Sequence, residues 1–176
     1  LAKALKVITE IGMDKIVAHE AELTRYALQQ LKKVPRLVFY GSVNEDEVYD
    51  RLGVISFNVA DMPHGLVGAI LNYEGGIGVR NGCFCAHPYV KCLLGVTIEE
   101  TKIFEEKILN HDRSTIPGAV RMSFGMYNTK QEIDQMVDIL KIIVSNNYQG
   151  QYELISKTGE YVPKNFNLNF SDYFNF

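Results

Sequence analysis

Val120-Arg121-Met122-Ser123-Phe124-Gly125-Met126-Tyr127-Asn128-Thr129 passes from one kind of periodicity to another. Val120, Met122 and Phe124 alternate with Arg121 and Ser123, the pattern of a strand with one apolar face and an arginine on the other. Asn128-Thr129 then caps a helix whose stripe is Ile133, Met136, Val137, Leu140, Ile143 and Val144. A half-buried strand followed by an amphipathic helix points to helices packed on a sheet.

Working outward, Pro117-Gly118 is a turn, and Tyr89 to Leu94 and Ile98 to Leu109 read as helices parted by Gly95. Ile77-Gly78-Val79-Arg80 reads as a short strand. A helix before it starts at Asp61-Met62-Pro63-His64, with Asp61 as its cap, and stops at Gly75-Gly76. Val54 to Val59 alternates, with Ile55, Phe57 and Val59 on one face. An acidic loop, Asn44 to Asp50, separates it from a strand at Leu37 to Tyr40. Asp14 to Lys33 is an amphipathic helix closed by Pro35, and Ala2 to Glu10 a shorter one before Gly12. Strands 1 and 2 have room to pair antiparallel. The expected fold is α/β: a small mixed or antiparallel sheet with helices packed on one face. Residues 1–145 make up this domain. Residues 146–176 are an Asn- and aromatic-rich tail with eight aromatic side chains and one short pairing around Tyr152 to Ile155.

The 176 residues suffice for one core, and 47% apolar with 22% charged residues is ordinary globular usage. A net charge of −3 without a basic stripe gives no support to nucleic-acid binding. No apolar run is long enough for a membrane helix, and no signal peptide is visible. The three cysteines lie between Cys83 and Cys92, a poor disulfide framework that fits a reduced, cytoplasmic protein. A helix already under way at Leu1 implies a chain cut from something longer.

The densest chemistry is Arg80-Asn81-Gly82-Cys83-Phe84-Cys85-Ala86-His87-Pro88. Three readings compete for it. The cysteines pack as small hydrophobes. Alternatively, Cys83, Cys85, His87 and Cys92 are soft metal ligands, although their spacing departs from structural zinc patterns. Or a thiol acts as nucleophile, with Arg80 and His87 as cationic neighbours and Gly82 freeing the loop. Arg121 is either a solvated side chain or a two-pronged holder for a carboxylate.

Together the two segments resemble the R-x-G-x-x-C-A-x-P and R-x-S-x-x-x-Y-N-T motifs of group II cysteine desulfurases and selenocysteine lyases, within the class V aminotransferase family. His19-Glu20 and Leu23 fit the family's H-E-x-x-L stretch. The match runs in order through residues 1–145. It departs at Cys83-Phe84, where desulfurases of this group usually carry His-His and molybdenum-cofactor sulfurases look more alike. It departs also in the longer Thr97 to Thr115 segment.

The resemblance implies the C-terminal small domain of a fold-type I pyridoxal 5'-phosphate enzyme. It implies that Cys85 accepts sulfur as a persulfide, and that Arg121 and Arg80 face an amino acid substrate. His87, Asn81 and Cys83 are then modulators of the loop. No cofactor-binding residue and no metal ligand is expected in this chain: no His-Lys pair occurs, so the cofactor lysine is expected before Leu1, in an N-terminal cofactor domain. Family members are usually homodimers. Two alternatives stand beside this reading: an aminotransferase or epimerase-like enzyme with a structural Cys85, and a non-enzymatic zinc- or partner-binding module.

Overall fold

A computed structural model describes residues 1–166; residues 167–176 of the expected aromatic tail lie outside the described residues. Strands β1 (Leu37–Tyr40), β2 (Val54–Val59), β3 (Arg80–Gly82) and β4 (Ala119–Ser123) form one sheet in the order β1-β2-β4-β3. Every neighbouring pair is antiparallel. β4, last in sequence, therefore runs between two strands that precede it.

The core lies on one face of this sheet. Ile55, Phe57 and Val59 of β2 and Val120 and Met122 of β4 are buried there, as their alternation requires. Helices α2 (Met13–Leu31), α3 (His64–Tyr73) and α6 (Lys130–Val144) join the same core through Leu28, Leu31, Ile70, Leu140 and Ile143. In α6 the whole expected stripe is buried except Val144, which is half-buried. That helix starts where it does because Thr129 and Glu132 form a reciprocal capping box. Helix α1 (Ala2–Ile11) buries none of its residues, and neither does α5 (Ile98–Leu109).

The register places Tyr40, Ser56, Arg121 and Arg80 in one row across the four strands, on the face away from the core. Helix α4 (His87–Leu93) runs beside this face, with Val90 buried and Tyr89 exposed.

Two local expectations are corrected. Asp61 does not cap α3: Pro63 holds the cap position without a side-chain bond, and Asp61 sits in the preceding turn at φ 64°. Ile77 and Val79 are not in a strand, and the ladder begins only at Arg80. Their apolar side chains pack against the core instead of alternating across a sheet.

The Tyr152–Ile155 segment is a strand, β5, and its partner is β6 (Glu160–Pro163), which the sequence reading does not foresee. This hairpin docks on α3. Glu74, just past the end of α3, accepts the N–H groups of Gln149 (3.0 Å) and Gly150 (2.9 Å) and the Tyr152 hydroxyl (2.9 Å). The Tyr161 ring lies so close to Gly65 that a Cβ there would stand 3.2 Å from it.

Candidate active site

Beyond β3 the chain makes a tight turn in which the Ala86 N–H donates to the Cys83 carbonyl at 2.7 Å. The two residues between, Phe84 and Cys85, have φ of 54° and 60°. That left-handed region normally takes Gly or Asn, and each other residue placed there costs on the order of 1–2 kcal/mol. Contacts on both sides hold the turn. The Cys83 thiol donates to the Pro117 carbonyl at 3.0 Å. The Phe84 ring centroid lies 5.1 Å from the guanidinium carbon of Arg121, within cation–π range. The outcome is an exposed Cys85 at the tip.

The neighbouring cysteines differ in kind. Cys83 is buried, and burial pushes its thiol above the ordinary value, so it remains a protonated donor. Cys92 is free and exposed on α4. With Cys83 turned inward to Pro117, the quartet Cys83, Cys85, His87 and Cys92 does not converge. Among the described residues no three His, Cys, Asp or Glu side chains group as a metal site.

Arg80 stands directly opposite Arg121 in the β3–β4 ladder. Like charges opposite one another are destabilising. Among the described residues neither has a carboxylate within ion-pair distance. The Arg121 Nε is buried without a hydrogen-bond partner. Asn81 projects the other way, its amide nitrogen 3.0 Å from where a Cβ on Gly68 of α3 would lie.

A cavity of about 650 Å³ opens beside Cys85, bordered by His64, Arg80, His87, Arg113 and Glu160. Arg121 borders two others: one of about 240 Å³ with Tyr40, Ser56 and Tyr89, and an open hollow of about 790 Å³ with Arg51. Phe84 borders both the Cys85 cavity and the smaller Arg121 cavity, so its ring is the partition between thiol and guanidinium. The structure thus pairs Arg80 with Arg121 and sets His87 beside Cys85, but none of these three cavities is bordered by both Cys85 and Arg121. No lysine borders any of the three cavities. The residues bordering these three cavities therefore offer no lysine amine for a Schiff base.

The remaining motif residues have structural work. The His19 Nε2–H donates to the Asn128 carbonyl at 3.0 Å, tying α2 to the start of α6, and Leu23 is buried. Asn128 accepts the Gly125 N–H at 2.7 Å, and Thr129 caps α6. His64, Arg113 and Glu160 of the cavity escape the sequence reading. His64 is noticed there only as part of a helix start, and Arg113 is one more arginine in a loop. None of the three belongs to a motif, so no local signal marks them.

Residues 1–136 match the family Aminotransferase class-V. A probable cysteine desulfurase of Streptomyces coelicolor is 39% identical over 142 residues, covering 80% of this chain and 28% of the relative. One of Staphylococcus epidermidis is 36% identical over the same lengths. The cysteine desulfurase CsdA (S-sulfonic acid) from Escherichia coli superposes with a TM-score of 0.59 at 21% identity, over 81% of this chain and 29% of that one. This last likeness bears on the fold. The chain spans little more than a quarter of the length of these relatives, 28% of each curated one. On these matches the chain belongs to the class V aminotransferase family.

Proposed function

We propose that these residues form the substrate-facing part of a pyridoxal-phosphate-dependent enzyme that takes sulfur from cysteine onto Cys85. The cofactor and its lysine are supplied by residues outside this chain. The reading rests on one observation: two guanidinium groups without carboxylate partners, Arg80 and Arg121, stand face to face beside a thiol held out on a strained turn. A substrate carboxylate relieves the repulsion between the two arginines and accepts the planar, two-pronged donor that Arg121 offers. In the net transfer the substrate carbon–sulfur bond breaks, a sulfur–sulfur bond to Cys85 forms, and alanine leaves. Names of relatives that are probable cysteine desulfurases support the same chemistry.

The test uses the full-length protein with cysteine. With dithiothreitol present to reduce the persulfide, alanine and sulfide should appear in equal amounts, and Cys85→Ser should slow both by at least about a hundredfold. Amino-group transfer to a keto acid that survives Cys85→Ser identifies an aminotransferase instead. Near-stoichiometric zinc in the purified protein identifies a binding module. The 176-residue chain alone, mixed with pyridoxal phosphate, should give no Schiff-base absorbance.

A further inference from the structure

Two segments far apart in the chain close the Cys85 cavity on the side away from the sheet. One is the turn after α5 that carries Arg113; the other is the β5–β6 hairpin, which lies beyond residues 1–136 that match the family. They are fastened to each other. The Arg113 N–H donates to the Ser156 carbonyl at 2.7 Å. At the hairpin turn Gly159 has φ +76°, and a Cβ there would stand 2.7 Å from the Arg113 carbonyl, so only glycine permits the approach. Tyr161 on Gly65 and the Glu74 bonds fix the hairpin in turn to α3.

The wall so built has a definite chemistry. Arg113 and Arg80 border the cavity against a single carboxylate, Glu160. Among the described residues Arg113 has no carboxylate within ion-pair distance. The His64 ring is held by its Nε2–H on the Ile116 carbonyl at 3.1 Å, which leaves Nδ1 a buried acceptor without a partner. About 650 Å³ is the size of a small-molecule site.

We propose that this cavity receives a small anionic thiol that takes the sulfur off Cys85, with Arg113 holding its carboxylate. This rests on the persulfide reading above. The acceptor enters as a thiolate, its proton lost to water, and attacks the outer sulfur of the Cys85 persulfide. A new sulfur–sulfur bond forms, the bond to Cys85 breaks, and the electron pair returns to Cys85 as thiolate. The acceptor leaves as its own persulfide, and no outside oxidant or reductant is consumed.

The experiment loads the full-length enzyme with one equivalent of cysteine and counts persulfide by the alanine released. Discharge is then timed with 3-mercaptopropionate and with neutral 2-mercaptoethanol, each rate expressed per persulfide formed. The wild type should prefer the carboxylate thiol by about tenfold over the ratio of the two in free solution. Arg113→Gln should erase that preference and Arg113→Lys should keep part of it. An equal preference in wild type and Arg113→Gln overturns the proposal, and so does faster discharge to a protein thiol than to either small one. Failure to release alanine at the loading step overturns the persulfide reading instead.

Discussion

Cys83 and Cys85 stand two positions apart and meet opposite surroundings. The first donates to the Pro117 carbonyl inside the loop, and the second faces water on a left-handed turn. A thiol must be both ionised and reachable to react, and burial denies Cys83 both. In the native protein a thiol reagent should therefore modify Cys85 and Cys92 promptly and Cys83 only on unfolding. Mass spectrometry of the labelled peptides distinguishes them, and early labelling of Cys83 contradicts the burial. At this scale the sequence is informative about residue type and silent about direction. It marks Arg80, Cys85 and Arg121 through motifs, yet nothing in it tells that Arg80 faces Arg121, because that follows from ladder register. Nor does it mark Arg113, whose place at the cavity arises only when the hairpin meets the turn after α5.

Among the elements, α6 depends most visibly on local chemistry. The Thr129 side chain accepts the Glu132 N–H, and the Glu132 carboxylate accepts the Thr129 N–H at 2.8 Å. Thr129→Ala should lower stability by about 1 kcal/mol in urea unfolding, since α6 contributes Leu140 and Ile143 to the core. The same change in the Thr97 cap of α5 should matter less to global unfolding, because α5 buries none of its residues. β2, β4 and α6 are readable in advance for one reason: each has one buried side, and one-sided burial writes a period into the sequence. β3 has three residues, too few for a period, and apolar Ile77 and Val79 displace the expectation upstream. β6 ends in a proline and alternates weakly, so its pairing with β5 is set by docking on α3 and not by its own pattern.

For the molecule as a whole, Glu74 is the fastening between the hairpin and the body. Burial alone pushes its carboxyl up, but hydrogen bonds from Gln149, Gly150 and Tyr152 outweigh this and hold it below the ordinary value of 4.5. A lowered folded pKa means that the ionised form favours the docked state. Its contribution is complete above the ordinary carboxylate value and is lost as pH falls through the lowered one. The hairpin should thus loosen on acidification below about pH 4.5, seen as a fall in the protection of the Gln149 and Gly150 amides against hydrogen exchange relative to the intrinsic rate at each pH. Glu74→Gln should loosen it already at neutral pH and flatten the dependence; unchanged exchange in that variant would show that Tyr161 alone suffices. The strand order has a mechanical consequence of its own. Arg121 sits on an interior strand braced from both sides, whereas Cys85 hangs from the last and shortest strand of the sheet, beyond its outer rim. If Arg121 anchors a substrate and Cys85 carries sulfur, as proposed, the anchor is bolted to the frame and the carrier is mounted at the frame's edge.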